Sequence, residues 1–245
     1  MDANNTSLTP RISFVTGDTR LDLIALKIIW EKDPGLWQSV TREYPALCSV
    51  EEWNGRAIRR VVRMIYVQKR KEISQAAKNF IIWWRPVEIG WFNLLDSLFT
   101  PKNKIAAVYT CYIGISPISP RIIEKGSYSA SYLLGKEKSR LLHAHETSHF
   151  YFYRKIQELG LEHTTGSRRF WLLSEAMAPL ILNDPAVMKI TGSPAPGSYV
   201  CKESLVEKCR PHYDKLRSRE IGINEFFTLL IGIKINREDL NLKFT

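Results

Sequence analysis

The sequence predicts an α+β protein that is mostly helical, with a small sheet placed directly before a central helix. Apolar residues recur at helical spacing over most of the 245 residues. Residues 104–115 are instead rich in β-branched and aromatic types, which favours a strand, and residues 127–134 form a second candidate strand. A run without proline or glycine, residues 136–159, then has the composition of one long helix.

Helical patterns dominate the chain before these strands. A helix is expected over residues 21–32, with Asp18 as its N-cap because a carboxylate can accept a hydrogen bond from a free amide of the first turn. An amphipathic helix is expected over residues 53–79. The aromatic-rich stretch 81–99 is expected to combine a turn at Pro86 with a short helix, since proline cannot donate a helical hydrogen bond.

The helix predicted over residues 136–159 should end at Gly160, the position where a C-cap glycine is expected. A nearly continuous apolar helix follows over residues 170–180. Pro179 predicts a kink or an end in that helix, and Asn183-Asp184-Pro185 predicts a firmer stop. Two more helices are expected near the C-terminus, over residues 202–216 and 224–233.

The composition is that of a globular protein with a sizeable core, because 44% of the residues are hydrophobic and seven are tryptophan. We expect residues 1–100 to form a mainly helical N-terminal support region. Residues 101–245 would then hold the chemistry, and the two regions could equally be parts of one integrated domain.

The chemistry is indicated by His145-Glu146-Thr147-Ser148-His149, an HExxH motif in the middle of the long predicted helix. Two histidines four residues apart lie on one helix face, so that their imidazoles can share a metal ion. Imidazole is a favoured ligand for zinc. Glu146 is the type of residue that zinc hydrolases use as a general base toward water.

A third ligand is predicted at Glu175, the single acid of the apolar helix that follows. A carboxylate in such a run is expensive to bury unless it is paired, hydrogen-bonded or bound to metal. The separation from His149 leaves enough chain to end one helix, turn back and begin another. The alternative is that Glu175 pairs with a nearby arginine, Arg168 or Arg169.

With these residues the chain resembles the gluzincins, zinc metallopeptidases in which a glutamate on a following helix completes the HExxH site. The resemblance covers roughly residues 105–183 and implies a zincin-like catalytic core. It implies Zn²⁺ held by His145, His149 and Glu175, and a peptide or protein substrate. The motif Asn-Glu-x-x-Ser-Asp is missing around Glu175, which leaves the subfamily open. The residue six after His149 is Lys155, which argues against the HExxHxxGxxH type.

The resemblance implies peptide hydrolysis, in which zinc lowers the pKa of water and polarises the scissile carbonyl while Glu146 accepts and returns a proton. A developing oxyanion needs a further donor, and the candidates are His163, His212 and Tyr213. His143 is not expected at the metal, because two residues correspond to a rotation of about 200° around a helix.

Two other classes of function stay open. In one, the zincin fold is catalytically inactive and serves as a binding or regulatory module. In the other, a basic helix dominates and binds nucleic acid or an anionic membrane surface. The net charge is +10, and six cations follow one another with no acid between them, namely Arg59, Arg60, Arg63, Lys69, Arg70 and Lys71. A merely solvated helix face is the alternative for this segment.

The sequence begins without a basic and apolar leader pattern, and no stretch approaches the length of a membrane span. The four cysteines form no CxxC pair, and reduced thiols are expected. We therefore expect a cytoplasmic protein without a transmembrane segment.

Overall fold

The fold is that of a mostly helical α+β protein with a small mixed sheet. The computed structural model describes residues 9–50, 52–101, 108–161, 168–196 and 201–240. Within these ranges the helices are α1 (Arg20–Lys32), α2 (Pro34–Glu43), α3 (Gly55–Gln68), α4 (Arg70–Phe99), α5 (Lys136–Glu158), α6 (Arg168–Leu182), α7 (Pro185–Thr191), α8 (Glu203–Arg217) and α9 (Ile223–Gly232). The strands are β1 (Arg11–Thr16), β2 (Val108–Gly114), β3 (Arg121–Ile122) and β4 (Ser127–Ser131).

The chain divides into two compact units that are each assembled from separate stretches. One, which we call the sheet unit, comprises Arg11–Pro86 and Val108–Ser139. The other, the helical unit, comprises Met1–Pro10, Val87–Ala107 and Arg140–Thr245. The predicted division into a support region, residues 1–100, and a second region, residues 101–245, stays a prediction.

The sheet unit is built on four strands in the order β1-β2-β4-β3. β1 pairs with β2 and β2 with β4 in parallel, whereas the short β3 pairs antiparallel with β4 at one edge. The strands expected at residues 104–115 and 127–134 are confirmed as β2 and β4, apart from residues 104–107, which lie outside the described part of the chain. β1 was not predicted, although four of its six residues (Ile12, Phe14, Val15 and Thr16) are types that favour a strand.

A buried carboxylate ties helix α1 to the ends of these strands. Asp22 is 1% exposed, and its oxygens accept hydrogen bonds from the amides of Ile115 (2.9 Å) and Ser116 (3.0 Å) and from the Tyr66 hydroxyl (2.5 Å). Burial raises the pKa of Asp22, while the three hydrogen bonds oppose that shift. The close approach needs a glycine at position 114, because a Cβ there would lie 2.7 Å from the Asp22 Cγ.

The N-terminal helix predictions are partly right. Helix 21–32 is confirmed as α1, but Thr19 occupies the N-cap and Asp18 instead accepts the amide of Arg20 (2.9 Å). The helix expected over residues 53–79 is two helices, α3 and α4, which are separated by Lys69 alone. The short helix α2 was not predicted.

The turn expected at Pro86 is wrong, because α4 continues through it to Phe99. An internal proline costs about 3 kcal/mol in a helix. Burial of large side chains on the same helix offsets this loss, since Trp84, Trp91 and Leu95 are each 0% exposed. The tryptophans at 84 and 91 are therefore core residues.

The helical unit has an aromatic core. Phe152 lies against Phe227 with ring centroids 5.1 Å apart, and Tyr151 contacts Phe99 at 5.9 Å and Phe92 at 6.4 Å. The helices predicted at 136–159, 202–216 and 224–233 are confirmed as α5, α8 and α9 to within one residue. None of the helices in the described ranges is long and apolar enough to cross a lipid bilayer.

Candidate metal centre

The HExxH motif lies on α5, which two hydrogen bonds between its side chains and those of α4 hold in place inside the helical unit. The indole nitrogen of Trp91 donates to the hydroxyl of Thr147 (2.8 Å), the third residue of the motif, and Thr147 itself donates to the carbonyl of His143 (2.6 Å). One turn further, the Tyr151 hydroxyl donates to Asp96 (2.8 Å). α5 is thus fixed by α4 on the motif itself and on the following turn.

The C-terminal end of α5 also follows the prediction. Gly160 has a φ of +71°, in the left-handed region that glycine adopts at a helix C-cap. The Gly160 and Leu161 amides donate to the carbonyls of Gln157 (2.9 Å) and Ile156 (3.1 Å). α6 begins again at Arg168 and runs to Leu182. Pro179 therefore does not end that helix, whereas the stop predicted at residues 183–185 is confirmed.

Helices α5 and α6 bring the three predicted ligands together. The Nε2 atoms of His145 and His149 are 2.9 Å apart. One carboxylate oxygen of Glu175 lies 3.6 Å from Nε2 of His149, and the other lies 3.8 Å from Nε2 of His145. One ligand atom from each residue can be chosen such that all three lie within 4.8 Å of one another.

These separations fit a tetrahedral zinc ion. With metal–ligand distances of about 2.0–2.1 Å, two ligand atoms of a tetrahedral site are about 3.3 Å apart. The separation of the two histidine nitrogens is 2.9 Å, and the separations from each histidine to one or the other Glu175 oxygen are 3.6 and 3.8 Å, so the three values lie on either side of that distance. Two imidazoles and one carboxylate are also a ligand set that catalytic zinc sites use. A shift of about half an ångström in each side chain would give the ideal spacing.

The site has one partly open side. The side chain of His149 is 0% exposed and that of Glu175 is 4% exposed, whereas that of His145 is 20% exposed. Within the described part of the chain, the cluster contains these three residues. Three candidate ligands with access for solvent at one of them are compatible with a metal site that leaves a fourth position for water or substrate.

The general base predicted at Glu146 is buried in the same helix. Its residue exposure is 1%, and it follows His145 directly, about 100° further around the helix. His143 is 0% exposed and does not belong to the three-residue cluster, as the helical rotation predicts. Burial lowers the pKa of His143 to about 3, so that this imidazole is neutral at physiological pH.

Of the two alternative partners named for Glu175, Arg168 and Arg169, the second is engaged elsewhere. Its guanidinium donates to the carbonyls of Ile231 and Ile233 (2.5 Å for the latter) at the C-terminal end of α9. These are carbonyls that lack helical donors, and a cation at this end also favours the helix dipole. Arg169 thus has a structural role that the sequence did not indicate.

The three candidate oxyanion donors have different positions. His163 lies outside the described residues. Tyr213 is buried in α8, and its hydroxyl donates to Asp184 (3.4 Å), which also pairs with Arg217 (2.5 Å) and caps α7. His212 is half-buried, and its Nδ1 has no hydrogen-bond partner among the described residues. The role of donor to a reaction intermediate stays a prediction for all three.

The cysteines are free thiols, as expected. Cys111, Cys201 and Cys209 are buried and Cys48 is exposed. Burial raises the pKa of Cys209 to about 12, which leaves this thiol protonated and unreactive at neutral pH.

No protein-family model, curated protein or solved structure matches this chain. The interpretation of the centre therefore depends on its own residues and geometry.

Proposed function

We propose that the protein is a zinc-dependent metallopeptidase. The observation that carries the proposal is the convergence of His145, His149 and Glu175 from two helices, with ligand-atom separations of 2.9, 3.6 and 3.8 Å. An HExxH helix and a buried glutamate from the following helix form a combination that is much more specific than the pentapeptide alone.

The residues divide the chemistry between them. His145, His149 and Glu175 would hold Zn²⁺, which when bound supplies the Lewis acidity that activates water and polarises a carbonyl group. Glu146 would accept the proton of the attacking water and deliver it to the leaving amine. Burial of Glu146 keeps its carboxylate in a low-dielectric surrounding, where its charge acts more strongly on a nearby proton. The substrate class is a peptide or protein main chain.

We further propose that the catalytic core is zincin-like. The order of elements supports this, because three of the four strands, β2, β3 and β4, immediately precede the HExxH helix in the chain, and β3 is an antiparallel edge strand. The third ligand then comes from the next helix, α6. The gluzincin subfamily stays open.

The test begins with metal content. We expect about one zinc per chain in the purified wild type and little in His149→Ala, measured by elemental analysis on the two proteins side by side. Zinc-loaded protein is then incubated with a mixture of peptides, and cleavage is followed by mass spectrometry.

Glu146→Gln is the matched control, because it keeps the three ligands and removes only the base. It should bind zinc like the wild type and lose at least about 100-fold in cleavage rate. Full zinc occupancy without cleavage of any peptide in wild type would favour an inactive zinc-binding module. Wild-type cleavage by Glu146→Gln would refute the general-base role.

A further inference from the structure

One face of helix α3 combines exposed arginines with exposed aliphatic side chains. At about 100° per residue, Arg56, Arg60, Arg63, Met64 and Val67 fall within an arc of roughly 100° on the helix surface. All three arginines are exposed. Met64 is 44% exposed and Val67 is 76% exposed. The helix contains no acidic residue, so that nothing on it neutralises this charge.

The opposite face of α3 anchors the helix. Ile58, Val62 and Ile65 are at most 2% exposed and belong to the core of the sheet unit. The Asn54 side chain caps the N-terminus by accepting the amides of Arg56 (3.0 Å) and Ala57 (3.3 Å). The exposed face is therefore presented by a rigid, well-anchored helix and does not depend on a helix that forms only on binding.

The first half of α4 repeats the pattern. Lys71, Lys78 and Arg85 are exposed and fall within another arc of roughly 100°, together with Ile81 and Ile82. Ile81 is 38% exposed and Ile82 is 65% exposed. Two consecutive helices of the sheet unit thus carry large aliphatic side chains among cations on their outer faces.

The mixture of side chains distinguishes between the two anionic partners that the net charge of +10 would attract. Nucleic acid offers phosphates to arginine and bases to aromatic side chains, but it offers little to an aliphatic residue placed among the arginines. An anionic lipid surface satisfies both parts, because phosphate headgroups bind the cations while aliphatic side chains enter the boundary to the acyl chains. The long stems of arginine and lysine are compatible with the same boundary.

We propose that these outer faces of α3 and α4 form a docking surface for an anionic phospholipid membrane. The three arginines and the Val67 side chain of α3 form its centre. The surface belongs to the sheet unit, whereas the metal ligands belong to the helical unit, so the proposal does not depend on the proposed peptidase function. Attachment is peripheral, through headgroups and the shallow acyl region.

The experiment is flotation of the full-length protein with vesicles of phosphatidylcholine alone and of phosphatidylcholine mixed with phosphatidylserine. Binding is expected to the mixed vesicles only, and it should weaken as the salt concentration rises. Arg60→Glu/Arg63→Glu should reduce partitioning by at least about 30-fold, because each cation near an anionic surface contributes a several-fold effect. Val67→Ser should reduce partitioning by about tenfold through loss of apolar burial.

The matched control is Lys189→Glu/Lys215→Glu, which changes the net charge equally on exposed positions of α7 and α8. It should keep most of the binding. A melting curve for each variant checks the fold, and Val67→Ser changes one exposed side chain without altering the charge.

The same proteins are titrated with single-stranded and duplex oligonucleotides. Tight oligonucleotide binding that is insensitive to Val67→Ser, without vesicle binding, would overturn the proposal in favour of nucleic acid. Absence of binding to mixed vesicles at low salt, or equal losses in the control and the arginine variant, would overturn it as well.

Discussion

Replacement of Glu175 by alanine is the most direct test of the metal centre, because zinc binding can be read as stability. A ligand that binds only the folded protein raises the free energy of unfolding, by about 2.7 kcal/mol at a concentration 100 times its Kd. For a chain of 245 residues, each kcal/mol corresponds to a melting-temperature shift of about 2–4 °C. Zinc at that concentration should therefore raise the wild-type melting temperature by roughly 5–10 °C.

Glu175→Ala removes the carboxylate group whose two oxygens lie 3.6 Å from Nε2 of His149 and 3.8 Å from Nε2 of His145. Changes to groups that only support metal ligands already weaken affinity about 10–100-fold, so loss of the ligand itself should weaken it by at least about 100-fold. At the same zinc concentration the gain then falls to about 0.4 kcal/mol, which is a shift of less than about 2 °C.

The assay is thermal unfolding of each variant with chelator and with added zinc, so that every protein serves as its own reference for the loss of buried side-chain volume. Glu137→Ala, an exposed position in the first turn of α5, is the matched control and should keep the full wild-type shift. A zinc-dependent shift in Glu175→Ala as large as that of the wild type would refute the assignment of Glu175 as a ligand.

Two further predictions concern the supports of the fold. Trp91→Phe removes the donor to the Thr147 hydroxyl (2.8 Å) and should lower the free energy of unfolding by about 1–2 kcal/mol. The loss is measured as a lower melting temperature. An unchanged melting temperature would show that this buried hydrogen bond contributes nothing to stability. Gly114→Ala would place a Cβ 2.7 Å from Cγ of Asp22, which should lower the melting temperature by roughly 2–12 °C. Gly135→Ala is the control and should be tolerated, because no atom lies within 4 Å of the added Cβ. Equal effects of the two substitutions would contradict the steric argument.

The sequence was informative about the candidate site because the relevant distances are mostly local. The separation of His145 and His149 follows from the helical repeat, which needs no tertiary information. Glu175 was identified from the free-energy cost of burying an isolated carboxylate, and Gly160 from the needs of a helix end. The chain between α5 and α6 is long enough for Glu175 to return to the two histidines. Sequence patterns within a single helix could not predict which residue holds α5 in place, because Trp91 donates to Thr147 across 56 residues of sequence.

The failures have the same physical origin. Local propensity opposes a helix at Pro86 and predicts a turn. Burial of the side chains around it outweighs the free energy that the proline costs the helix. β1 was missed although four of its residues favour a strand, because nothing in its own sequence shows the partner; β2 offers a parallel partner for all six of its residues. In each case a non-local contact decided between two local conformations that the sequence pattern alone could not rank.

The candidate metal centre and the basic surface also differ in how many residues each depends on. Three residues of defined geometry identify the metal centre, so that one substitution there should abolish the property. The basic surface depends on a sum of weak contributions, each of which is worth about 1 kcal/mol per cation near an anionic surface. Val67 carries the more specific information, because its 76% exposed aliphatic side chain has no role in attraction to phosphate. A several-fold loss of binding for each arginine together with an about tenfold loss for Val67→Ser is therefore the pattern that separates membrane docking from general attraction between opposite charges.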